Sequence, residues 1–300
     1  MIRVGMCSWT EKTLIKSGGF YPRGVSSAED RLRFYARHYD TVEVDSTYYA
    51  IPDASTAALW AGRTPEGFVF HVKAYGALTG HGVDPRTLPA DMAERLAAEQ
   101  GEGKHLYVRD EGMLRELAAR FSMALSLLRE AGRLGLVVFQ FPPWLRRGPE
   151  GEGRVLRAAG LMEGFSLAVE FRHGSWLLPE ARERVFALLR ANRLTYVTAD
   201  EPQYGTLATV PFVPRVTTDT AYFRLHGRNA ENWLKRGIET SRRFAYLYSD
   251  EELSGIARAA READGQAQAA YVMFNNCYGD FAARNSRRMK EVLSRKSEGG

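Results

Sequence analysis

Three expected strand ends in this chain each carry charged side chains two residues apart: Glu43 and Asp45, Glu170 and Arg172, Arg224 and His226. Alternate residues of a strand share a face, so each pair points one way. Lys73 holds the same parity with His71 on a further strand, Gln140 closes the run from Gly135 to Phe139, and Asp200, Asn275 and Asn276 fall at later ends. Lys73, Arg172 and Arg224 are the types that hold a phosphate or carboxylate, with Gln140, Asn275 and Asn276 as polar contacts. Glu43, Glu170 and His226 are the types that move protons. Glu43, Glu170, Asp200 and His226 together would also suit a divalent metal, although no His-x-His or His-Glu-x-x-His spacing accompanies them.

Buried-strand composition gives these charges their meaning. A run such as Gly135 to Phe139 is apolar without alternation, as in parallel sheets covered on both faces, where charge has no inexpensive place except a pocket. Parallel α/β sheets bind ligands at the carboxyl ends of their strands. Strands are expected at 2–8, 41–46, 68–73, 135–140, 167–172, 194–199, 220–226 and 270–275. Helical patterns separate most of them. One opens with the capping box Ser26-x-x-Glu29 and another with Ser249-x-x-Glu252; a long stripe from Leu114 to Leu128 ends before Gly132. Further helices are expected at 53–62, 179–191 and 280–294.

Eight such units predict an α/β fold of the TIM type, a (β/α) barrel forming one domain over residues 1–300. Two segments depart from the repeat. Residues 74–109, rich in glycine and proline, are too long for a simple connection and are expected to form an irregular lid after the third strand. Residues 200–219 hold three prolines and no helical stripe, so a crossover helix is expected to be missing there.

Composition narrows the partners. There are 41 basic and 36 acidic residues, and only seven of the basic ones are lysine. A small anionic ligand fits that balance. Nucleic acid is the alternative, carried by aromatic and basic residues interleaved from Arg228 to Tyr246, with Arg242 and Arg243 as contacts. No stretch reaches the ~18 apolar residues of a membrane span, and a cytoplasmic location is expected. Cys7 and Cys277 read as buried thiols, with a bridge between the first and last strands as the alternative. His81, in a glycine-flanked turn, either reaches the mouth or lies on the surface. Phosphate-binding glycine motifs and the Gly-x-Ser-x-Gly elbow are absent from the sequence.

The ordered set Val42-Glu-Val-Asp-Ser-Thr-Tyr-Tyr49, Phe68-x-Phe-x-Val-Lys73, Phe139-Gln-x-Pro-Pro143, Val169-Glu-Phe-Arg-His173 with Trp176, Tyr222-x-Arg-Leu-His-Gly-Arg228 and Phe274-Asn-Asn276 resembles the DUF72, or YecE-like, family. The resemblance spans nearly the whole chain and implies a single-domain TIM-type barrel, but no reaction. Asp45 and Tyr48 stand where that family usually has asparagine and phenylalanine, and a threonine-histidine pair is split here by Gly80.

Three functional readings follow. The first is an enzyme acting on a small anionic substrate, phosphorylated or sugar-like. The second is a nucleic-acid-binding or processing protein, and the third a non-catalytic ligand-binding barrel.

Overall fold

A computed structural model describes residues 1–295. Its eight strands are β1 (Ile2–Met6), β2 (Thr41–Val44), β3 (Val69–Lys73), β4 (Leu134–Gln140), β5 (Leu167–Glu170), β6 (Thr195–Asp200), β7 (Thr220–Leu225) and β8 (Ala269–Phe274). They form one parallel sheet in the order β1-β8-β7-β6-β5-β4-β3-β2. The helices are α1 (Lys12–Ser17), α2 (Ala28–Tyr35), α3 (Ala54–Gly62), α4 (Ala90–Gln100), α5 (Glu111–Glu130), α6 (Pro149–Gly160), α7 (Arg182–Ala191), α8 (Ala230–Trp233), α9 (Thr240–Arg243), α10 (Asp250–Asp264) and α11 (Phe281–Ser294).

The sheet curls until β1 and β2 meet, making a nearly closed barrel of the TIM type. A side chain bridges the seam. The Tyr35 hydroxyl accepts from the Met6 amide at 2.8 Å and donates to the Thr41 carbonyl at 2.9 Å, serving one backbone group on each strand.

Two apolar layers follow from strand parity. Val42, Val44, Phe70, Val72, Phe139 and Val169 face the helices, whereas Leu136, Val138, Ala168, Val197, Tyr222, Tyr271 and Met273 fill the barrel. His71 belongs to the filling. Its ring packs 4.2 Å from that of Tyr271 and 4.8 Å from that of Tyr222. The ladder between β3 and β4 shifts register between Phe70 and Val72, and there the His71 Nδ1 accepts the Leu136 amide at 3.0 Å. A side chain replaces a missing ladder bond, and the barrel beneath the mouth is plugged.

Several local expectations change. The first capping box is Ser27 with Asp30, one residue later than Ser26 and Glu29, because Ser27 takes the extended cap conformation and accepts the Asp30 amide. The box at Ser249 and Glu252 forms as expected. The segment 74–109 is less irregular than its composition suggests: α4 buries Met92 and Leu96, and Val83 pairs antiparallel with Leu106. Between β6 and β7 there is no helix. Helices α1 and α6 were not expected; the latter begins Pro-Glu-Gly-Glu-Gly, where two glycines mask a helix whose buried face is Val155 and Ala158.

Candidate functional site

The strand ends converge on a dry layer above the plug. Arg224 is fully buried, and its Nε and Nη2 meet the two oxygens of Glu43 at 2.9 and 2.6 Å. Its Nη1 donates to Glu170 at 2.6 Å and to the Gln140 side-chain oxygen at 2.9 Å. Tyr222 adds a hydroxyl to Glu43 at 2.8 Å. Register explains the meeting: Gln140 pairs with Glu170 across β4 and β5, while Ala199 pairs with Arg224 across β6 and β7. One guanidinium thus joins the ends of β2, β4, β5 and β7.

His226 sits above it. Its Nε2 lies 3.0 Å from Glu170, and its Nδ1 lies 2.8 Å from the Asn275 side-chain nitrogen. An amide nitrogen only donates, so Nδ1 is the acceptor and Nε2 carries the proton toward Glu170. Burial dominates and pushes the His226 pKa down to about 3, outweighing the pull of Glu170. Glu170 moves the other way from what burial alone would do: Arg224, His226 and Arg172 hold its carboxyl well below the usual carboxylate range. The pair is therefore a neutral imidazole on a permanent carboxylate.

The rim above is cationic and aromatic. Arg172 reaches Glu170 at 3.2 Å and Glu201 at 3.0 Å, and stacks over Trp233 with its guanidinium carbon 5.1 Å from the ring centre. The Lys73 ammonium lies 4.4 Å above the Tyr48 ring and, among the described residues, forms no ion pair, including the one with Glu43 considered from the sequence. Burial and Arg224 lower its pKa against the pull of Asp45, Glu43 and Glu170. Asp45 is itself raised to about 6, chiefly by burial. His81 does reach the mouth: its ring packs 5.2 Å from Tyr48 and 5.5 Å from Trp144.

Other candidates separate from this group. Asp200 accepts from Arg228 and Tyr248. It stands four residues after Tyr196, which packs on Phe186 of α7, so strand parity turns it toward the helices. The residue that enters the site here is Glu201, directly after β6, which the sequence reading missed. Strand parity counted from the barrel-facing Val197 would have found it. Its Oε1 accepts the Val210 amide at 2.6 Å, and burial raises its pKa to about 7 against the pull of Arg172. Asn276 faces away from the pocket, donating to Tyr246 and Asn285.

A metal does not fit these donors. Both oxygens of Glu43, Glu170 and Asp200 already accept from Arg, Tyr or His groups. Among the described residues no three His, Cys, Asp or Glu side chains are grouped to hold an ion. Cys7 and Cys277 are free thiols, so the alternative of a bridge is not realised. In the loop after β7, Trp233 is buried against His226 and Phe244, while Phe244 and Tyr246 are half-buried. No described helix is long and apolar enough to cross a membrane.

Two cavities lie away from the mouth. One of about 680 Å³ sits at the amino-terminal end of the barrel beside Arg3, Tyr39 and Asp264. The other, about 960 Å³, runs between the lid turn and α5 and α6, lined by Leu78, Gly80, Phe141 and Arg154.

An eight-stranded parallel barrel whose carboxyl-terminal mouth carries a buried Glu–Arg–Glu layer under a cationic, aromatic rim is the class these residues define. Residues 3–299 match the family described as "Protein of unknown function DUF72", and the chain belongs to it. A relative, UPF0759 protein YunF of Bacillus subtilis (strain 168), is 31% identical over 297 residues, covering 98% of this chain and 95% of that protein. A crystal structure of a DUF72 family protein from Enterococcus faecalis V583 superposes with a TM-score of 0.80 at 28% identity, covering 99% of this chain and 97% of the other. One from Thermotoga maritima MSB8 gives 0.78 at 29% identity, covering 98% and 100%.

Proposed function

We propose that this barrel is an enzyme acting on a small anionic substrate, phosphorylated or sugar-like, seated at the carboxyl-terminal mouth. The observation that carries this reading is the inequality among the three inward cations. Arg224 touches two carboxylates and Arg172 touches two, while Lys73 forms no ion pair among the described residues. A half-buried ammonium without a counter-ion is unfavourable, and a bound anion would relieve it. Tyr49, packed on Tyr48, and Trp144, packed on His81, are exposed and offer apolar faces to a ring.

Roles divide by depth. Lys73 contacts the anion first, with Arg172 second. Gln140 and Asn275 contribute amide groups. Glu43, Glu170 and His226, proton-transfer candidates by residue type, are better supported as the layer that positions Arg224 and Arg172, because their polar atoms are already engaged.

Calorimetric titration with inorganic phosphate and with phosphorylated sugars tests the site. Binding is expected, with affinity at least about tenfold weaker in Lys73→Met, the loss of one charge-assisted contact. A wild-type protein that binds none of these anions would sink the reading. Binding without turnover of any phosphorylated sugar would favour a ligand-binding barrel. Oligonucleotide binding that falls steeply with salt and is lost when Arg242 and Arg243 become alanine would favour the nucleic-acid reading.

A further inference from the structure

We infer that His81 is the proton acceptor of the mouth, presenting an unprotonated Nε2 to a substrate whose anionic group is held by Lys73 and Arg172. The inference rests on the anion site proposed above and adds the group that would move a proton there.

Local chain geometry fixes the ring. The Gly76 carbonyl, 3.0 Å from the Thr79 hydroxyl, can only accept, and we assign the hydroxyl's one proton to it. With that proton used, the 2.8 Å contact with His81 Nδ1 has the hydroxyl oxygen as acceptor, which puts the ring proton on Nδ1 and leaves the lone pair on Nε2. The same Gly76 carbonyl accepts the His81 amide at 3.0 Å, tying both ends of the turn to one oxygen. Gly80 makes this possible. At φ 80° and ψ 20° it takes the left-handed conformation that returns residue 81 to residue 79, and a side chain there would also meet the Arg154 guanidinium. Splitting threonine from histidine by a glycine thus preserves their contact.

No hydrogen bond to Nε2 forms among the described residues. The ring stands nearly perpendicular to Tyr48 and at 68° to Trp144, which limits its rotation. His226 has no such freedom, since both of its nitrogens are engaged. Burial, then Lys73 and Arg172, push the His81 pKa down to about 4, so the imidazole is neutral at pH 7. Arrival of an anion between the cations and the ring offsets their field. Proton transfer then breaks an O–H or N–H bond of the substrate and forms Nε2–H, with the imidazolium charge balanced by the bound anion. The base strengthens only when the anion is seated.

The test uses the full chain with ¹⁵N-labelled imidazoles and long-range ¹H–¹⁵N spectra between pH 3 and 8, with and without inorganic phosphate; His81→Gln assigns the signals. The Nδ1–H tautomer is expected at pH 7. Phosphate should raise the His81 midpoint by about one pH unit or more. In Lys73→Met that rise should vanish while the tautomer persists; in Thr79→Val the tautomer should become mixed. An Nε2–H tautomer in the wild type, or a midpoint unmoved by phosphate that binds in a Lys73-dependent way, would overturn the inference alone. Failure of the wild type to bind phosphate, with the tautomer as expected, would remove the anion site and the inference with it.

Discussion

Arg224 and Glu43 meet side-on through two hydrogen bonds, at 2.9 and 2.6 Å, with neither side chain exposed to solvent. The pair joins β7 to β2 across the barrel interior, and Tyr222, Glu170 and Gln140 complete its hydrogen bonding. A buried ion pair of this kind gains little net stability over an apolar filling, because desolvation offsets attraction, but losing one partner strands the other.

Arg224→Met therefore leaves Glu43 and Glu170 as facing carboxylates in a dry layer. Urea unfolding at pH 7 should show a loss of about 3–5 kcal/mol. Adding Glu43→Gln should recover part of it, since one stranded charge is removed. A loss under about 1 kcal/mol for the single variant would mean that water enters the layer and solvates it.

Strand parity makes most of this layer legible in the sequence. Lys73, Gln140, Glu170, Arg224 and His226 lie on the inward side because each shares parity with a barrel-filling neighbour, and Glu43 does because Val42 and Val44 on either side of it face the helices. Pairing was less legible: Arg224 has four acceptors, and choosing them requires knowing how far each strand is staggered. Asp200 was a candidate because it is charged and at a strand end, yet parity sends it toward Arg228 and brings Glu201 inward. Helix α6 is masked by glycines that run against propensity, whereas α4, Ala-Asp-Met-Ala-Glu-Arg-Leu-Ala-Ala-Glu-Gln, has strong propensity and is masked by the glycines and prolines that flank it. The Thr79 to His81 contact depends on one backbone conformation at Gly80, which residue types alone do not specify.

Acid should loosen the barrel through its plug. His71 is pushed down to about 3 by burial and then by Arg3, while its unfolded value is near the ordinary 6.5. Between those values the unfolded chain binds a proton that the folded chain does not, so stability falls as pH falls from about 6.5 toward 3. His226 acts in the same direction. His71→Asn should lower stability at pH 7, because the ring packing on Tyr222 and Tyr271 is lost. It should also flatten the pH slope near pH 5 by about 1.4 kcal/mol per unit, one proton's worth. Parallel slopes for wild type and variant would show that His71 is protonated in the folded protein.

Glu201 should produce the opposite slope. Its folded pKa, raised to about 7 mainly by burial, exceeds the ordinary 4.5, so between those values the folded protein holds a proton that the unfolded chain has released. The contribution is fully present below about pH 4.5 and is lost as pH rises through 7. Glu201→Gln keeps an oxygen for the Val210 amide but cannot ionise, so this penalty disappears. The stability of Glu201→Gln relative to wild type should therefore climb between pH 5 and 8, by at most about 3 kcal/mol for a displacement of this size. Arg172 bounds the effect: at 3.0 Å from Glu201 it favours the carboxylate, and a difference that stays constant with pH would mean that this contact keeps Glu201 ionised throughout.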